Sequence, residues 1–152
     1  MPRGRAKSST LVVGTLASQF QNAIAANAEQ DRLAIVATLE DYSRAWFRGD
    51  AEAMERCLHP DLTARLLQLG PAPQAALEVQ TLPRSQGIQA ALGACTHPLE
   101  RHSEVTILDM AGHSASARIL LGDWAAYFHL SFTGQRWAIV NVLWEWLSRR
   151  SA

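Results

Sequence analysis

In the stretch "RCLHPDLTARLL", His59 stands two positions from Asp61 with Pro60 between them. An imidazole beside a carboxylate can relay a proton near neutral pH, the carboxylate fixing the ring's orientation. The same triplet can also be purely structural. Pro60 ends a helix and pushes His59 out of helical geometry. His59 then complements the negative end of that helix, and Asp61 caps a turn. Arg65, four residues further on, can pair with a carboxylate to brace the corner. The structural role is the stronger expectation, with His59 kept as an acid/base candidate.

Two polar residues in "RWAIVNVLWEWL" raise a sharper possibility, because a buried carboxylate or amide without a partner costs several kcal/mol. On a core face beside aromatic rings, Glu145 would have a raised pKa and serve as acid or base. Asn141 would hold a carbonyl oxygen there. Tyr42 and Trp46, one helical turn apart, are either plain core or the stacking surface of a pocket, with Tyr42 adding a hydroxyl. Phosphate-binding glycine loops, a GxSxG elbow and HxH or HExxH patterns are absent from the sequence, so neither a metal nor a cofactor is expected. Cys57 and Cys95 lack ligand spacing and read as reduced and structural.

These residues need elements to hold them. Over residues 31–47, Leu33, Ile35, Val36, Leu39, Tyr42, Ala45 and Trp46 recur at steps of three and four, which predicts one buried helix face. Gly49 ends that helix and Asp50 caps a short one, whose stripe is Met54, Cys57 and Leu58. "LTARLLQL" predicts an extended segment, "GPAPQ" a loop, and residues 85–94 a third short helix. The period then changes. Four runs rich in β-branched and aromatic residues, "EVTILDM", "HSASARILL", "WAAYFHLSF" and "RWAIVNVLWEWL", predict an antiparallel meander.

Glycine at the first central position of "LGDW" and of "TGQR" suits type II′ turns that pair Leu121 with Trp124 and Thr133 with Arg136. Regular alternation from those turns sorts the side chains into two faces. Trp124, Ala126, Phe128, Ile139, Asn141 and Glu145 fall on the more apolar face, which is expected to meet the helices. Phe128 would then stand opposite Asn141, and Trp124 opposite Glu145. Arg118, Tyr127, His129, Val142, Trp144 and Trp146 fall on the other, which is too aromatic for open solvent. A homodimer through Tyr127, His129, Trp144 and Trp146 is the expectation.

The 152 residues suit one domain at 31–148, preceded by an extension at 1–30 that is part helical in pattern, and followed by a tail at 149–152. Hydrophobic residues at 48% and charged residues at 18% exclude general disorder. The 14 basic and 14 acidic side chains cancel, so nothing recruits nucleic acid or an anionic membrane. The basic start and the run "LVVGTLA" resemble a weak signal peptide, but Gln19, Gln21 and Asn22 interrupt it short of the roughly 20 apolar residues of a span. A retained extension and a cytoplasmic location are expected.

Helices first and a curved antiparallel sheet last is an α+β arrangement, and three strings carry a family likeness. "LEDYSRAWFRGDAEAMERCLHPDLTARLL", "EVTILDMAGHSASARILLGDWAAYFHLSF" and "GQRWAIVNVLWEW" resemble the "Putative lumazine-binding" branch of the nuclear transport factor 2-like, polyketide-cyclase-like superfamily. The resemblance covers residues 31–146 and implies a cone-shaped fold with an internal pocket, commonly dimeric. One departure bears on chemistry: similar proteins carry an acidic residue before the tyrosine of "DWAAYFHL", where this chain has Ala126. Two functions remain open. One is a pocket for a small apolar or aromatic ligand, lined by Tyr42, Trp46, Trp124 and Phe128, either binding only or catalysing isomerisation, dehydration or cyclisation with Glu145, His59 and Asn141 and no cofactor. The other is a non-catalytic dimeric module with a vestigial pocket.

Overall fold

The computed structural model describes residues 7–69, 77–82 and 103–147 of the chain. Two compact units divide it, Met1–Leu33 and Ala34–Ala152. The long helix α1 (Lys7–Arg48) contributes to both, followed by α2 (Ala51–Arg56) and six strands: β1 (Leu58–Leu69), β2 (Leu77–Leu82), β3 (Ser103–Met110), β4 (Ser114–Leu121), β5 (Trp124–Phe132) and β6 (Trp137–Trp146). The short helix expected over residues 85–94, the "GPAPQ" loop, Cys95, His97 and His102 lie outside the described residues.

In the first unit the described side chains are exposed or half-buried, including Leu16, Phe20, Ile24 and Leu33. Leu33 therefore does not join the buried face expected of it. No helix among the described residues is long and apolar enough to cross a membrane.

In the second unit, Ile35, Leu39, Tyr42 and Trp46 of α1 are buried at steps of four, three and four. The helix ends in a Schellman motif: Asp50 N–H donates to the Ala45 carbonyl at 2.9 Å and Gly49 N–H to the Trp46 carbonyl at 3.3 Å. Gly49 adopts φ +65°, which a side chain disfavours. Asp50 then caps α2, its carboxylate accepting from Ala53 N–H at 3.0 Å. One residue thus closes one helix and opens the next.

The sheet runs in the order β2-β1-β6-β5-β4-β3. All neighbours are antiparallel except β1 and β6, which are parallel. Strand β2 was not expected from the sequence, whose loop signals end just before it. Both glycine turns form as read. Leu121 pairs with Trp124 and Phe132 with Trp137; Thr133 N–H donates to the Arg136 carbonyl at 2.9 Å, and Gly122 and Gly134 have φ of +57° and +93°.

Three irregularities interrupt the ladders. Leu108 is an extra residue in β3, and residues 59–62 of β1 stand against Val140 alone. Val140 is itself extra in β6, because Leu130 pairs with Ile139 while His129 pairs with Asn141. Bulges bend the strand that carries them and increase its twist, which curves the sheet round the helices. The inner layer is small-residue sheet against large-residue helix: Ala64, Ala115, Ala117 and Ala126 are buried with Ile35, Leu39 and Met54. The resulting α+β fold is the expected one.

Candidate functional site

The Val140 bulge decides which side chains reach the interior. Inward alternation holds for Ala126, Phe128 and Leu130 on β5 and for Ile139 on β6, all at most 1% exposed. Beyond Val140 the phase of β6 reverses. Val142 and Trp144 turn inward, while Asn141, Leu143 and Glu145 turn outward with His129, Tyr127 and Ala125 opposite them. The expected inward placement of Asn141 and Glu145 is therefore corrected: the partner of Phe128 is Val142, and that of Trp124 is Trp146. The extra residue shifts every later side chain to the opposite face.

Trp144 enters instead, a residue assigned from the sequence to the outer face. Its indole lies 6.3 Å from the Tyr42 ring, 5.3 Å from Trp46 and 6.1 Å from Trp124, centroid to centroid. Tyr42 meets Phe128 edge-on at 5.2 Å. Four expected lining residues, Tyr42, Trp46, Trp124 and Phe128, thus converge: the first three meet Trp144 directly, and Phe128 joins through Tyr42. Ala126 is Trp144's cross-strand partner, and its methyl leaves room for the indole. Trp146 continues this edge by packing on Trp124 at 4.9 Å, so it too belongs to the inner side and not to the outer row.

Polar chemistry inside this cluster is sparse. The Tyr42 hydroxyl is buried, which pushes its pKa well above the usual phenol value; nearby Cys57 raises it further, and a hydrogen bond from the Trp144 side chain opposes the shift. Burial also pushes the Cys57 thiol up to about 11, with Asp41 adding to the rise and Arg136 and Arg56 opposing it. Both groups stay protonated near neutral pH. Trp46 Nε1 is buried and has no hydrogen-bond partner among the described residues. An unpaired buried N–H costs about 1–3 kcal/mol, so this donor stands out among the described residues of the aromatic cluster.

The remaining candidates lie elsewhere. His59, half-buried, accepts through Nδ1 from Asp61 N–H at 3.0 Å, which folds the His-Pro-Asp triplet onto its own backbone within the β1 irregularity. Asp61 and Arg65 make no ion pair among the described residues. On the outer face, Asn141 Nδ2 lies 3.4 Å from His129 Nδ1, beside a hollow of about 290 Å³ that also borders Asp109 and Ser116. No three metal-ligating side chains converge among the described residues.

Solved structures with this architecture come from several bacteria. An NTF2-like protein of unknown function from Methylobacillus flagellatus KT is 21% identical, with a TM-score of 0.61 over 78% of this chain and 94% of its own. An NTF2-like protein of unknown function from Shewanella baltica OS155 is 22% identical, with a TM-score of 0.55 over 76% and 92%. An NTF2-like protein with a cystatin-like fold from Novosphingobium aromaticivorans is 17% identical, with a TM-score of 0.53 over 97% and 95%. These likenesses establish the fold. Among curated proteins no match was found. Residues 30–145 match the model of the family described as "Putative lumazine-binding", and the chain belongs to that family.

Proposed function

We propose that this protein binds a small planar heteroaromatic molecule with a carbonyl acceptor, lumazine being the first to try, and does so without acid/base catalysis. The observation that carries this reading is the Trp46 Nε1–H, a buried donor without a partner, set among the rings of Phe47 and Trp144. A stacking ligand that offers a carbonyl oxygen would satisfy it, and opening the ring cluster to admit the ligand exchanges one aromatic contact for another. Catalytic roles for Glu145, His59 and Asn141 are not part of the proposal, since none of the three stands among these rings. Tyr42 and Cys57, which do border them, have pKa values too high for proton transfer near neutrality. A cytoplasmic location belongs to the same reading and rests on the balanced charge and the polar interruption at Gln19, Gln21 and Asn22.

Calorimetric titration with lumazine and related bicyclic heteroaromatics tests the idea, alongside Trp46→Phe, which keeps a ring and removes the donor. Saturable binding by the wild type, weakened about tenfold in Trp46→Phe, is expected. Equal affinity in the two proteins would remove Trp46 from the site, and a panel without any binder would end the reading.

The outer sheet face supports a second element of the proposal, assembly as a homodimer. Tyr127 is 40% exposed there, and beside it the buried Arg118 Nε lacks a hydrogen-bond partner among the described residues. A second copy would cover the ring and supply an acceptor. The row expected to mediate this contact loses Trp144 and Trp146, which turn inward, and keeps Tyr127 and His129. Sedimentation should give a dimer that Tyr127→Arg dissociates; a monomeric wild type would refute it.

A further inference from the structure

We infer that the cleft between the end of α1, α2 and the β5–β6 turn is an anion site for a phosphate group, either free phosphate or a phosphate monoester. The cleft measures about 460 Å³, and Arg44, Arg48, Arg56 and Arg136 line it against two carboxylates, Asp41 and Asp50. In a chain with no net charge this is a local excess of cations. Both carboxylates are already engaged. Asp41 pairs with Arg44 at 2.6 Å, and Asp50 accepts the Ala53 N–H at 3.0 Å as the cap of α2. Arg56 pairs with Glu52 at 3.2 Å. Arg48 and Arg136 have no carboxylate within ion-pair distance among the described residues.

Arg136 is also held in place. Its Nη1 donates to the Arg56 carbonyl and its Nη2 to the Leu58 carbonyl at 3.1 Å, so the guanidinium is anchored by neutral acceptors that leave its charge uncompensated. Of five N–H groups two are used and three remain to donate. A guanidinium fixed by the backbone loses little freedom when an anion arrives, and its planar fork matches two phosphate oxygens. Arg48, at the last turn of α1, supplies the second charge. Repulsion between these cations is relieved by a dianion more than by a monoanion, which favours phosphate over carboxylate.

The site shares none of the clustered rings, and Cys57, which borders both, is not varied in either test, so the two tests are separate. Isothermal calorimetry at constant ionic strength would compare inorganic phosphate, phenyl phosphate and acetate, on wild type, Arg48→Glu and Asp41→Asn. Expected are saturable binding of one or both phosphate species, weakening of about ten- to hundredfold in Arg48→Glu, and tightening of several-fold in Asp41→Asn, which frees Arg44. Binding of inorganic phosphate alone would identify the free ion as the ligand, and binding of phenyl phosphate alone a monoester. Because Asp41→Asn is expected to gain affinity, misfolding cannot imitate the whole pattern. Absence of saturable phosphate binding, equal affinity for acetate, or indifference to Arg48→Glu would each overturn the inference.

Discussion

Truncating Trp144 and Glu145 separately, each to alanine, reads out the phase of β6. Trp144 is 6% exposed and contacts three other rings. Removing a buried indole typically costs about 3–5 kcal/mol, including the cavity left behind. The Tyr42, Trp46 and Trp124 contacts, worth roughly 0.5–1.5 kcal/mol each beyond area, place Trp144→Ala toward the upper end. For a domain of this size that lowers Tm by about 10–20 °C. Glu145 stands on the outer face, half-exposed and opposite Ala125, and its truncation should change stability by no more than about 0.5 kcal/mol. Urea unfolding followed by far-ultraviolet circular dichroism measures both. An unbroken alternation through Val140 requires the reverse order of effects. If Glu145→Ala proved the costlier change, the bulge and the site built on it would be wrong.

Tyr42→Phe should destabilise by about 1–3 kcal/mol in the same assay, because it leaves the buried Trp144 N–H without its acceptor. Stability should also fall in alkali. The Cys57 pKa rises from 9.0 to about 11 on folding, so the folded state prefers the neutral thiol; this contribution is complete below about pH 9 and is lost as pH rises through about 11. Two pKa units set a ceiling of about 3 kcal/mol, which access of water to the cleft reduces to about 1–2 kcal/mol. Urea midpoints of wild type and Cys57→Ala should diverge at neutral pH and converge across that window, and parallel curves would contradict the assignment. Gly134→Ala, at φ +93°, should cost about 1–2 kcal/mol and raise the unfolding rate, measured by stopped flow; a neutral result would mean that the β5–β6 turn is not type II′.

Much of the fold was legible because its signals are local. The steps between Ile35, Leu39, Tyr42 and Trp46, the double use of Asp50, and glycine at the head of each hairpin turn depend on neighbours a few residues away. Strand β2 was not legible, since LEVQTL owes its pairing to β1 and carries weak strand signals of its own. Leu33, which is exposed, failed for a related reason: a helical period marks a face but does not say how much of its length is buried.

The site was half legible, and the missing half turns on one residue. Counting by twos from the β5–β6 turn put Asn141 and Glu145 in the core, a placement that buries an amide and a carboxylate while exposing Val142 and Trp144. The hydrophobic pattern itself objects to that count. In WAIVNVLWEW the apolar residues run as Trp137 and Ile139, then Val140, then Val142 and Trp144, so the period of two slips between Ile139 and Val142. Such a slip is what an extra residue leaves in a sequence, and burial of the indole over the carboxylate is the physical force that fixes the register. The consequence for the interior is direct. With the regular count the interior would hold an acid and an amide, the makings of proton transfer; with the bulge it holds five aromatic residues and one unpaired N–H, which is a surface for stacking. A single inserted residue thus exchanges a carboxylate for an indole in the interior, and it does so at Trp144, across from the small Ala126.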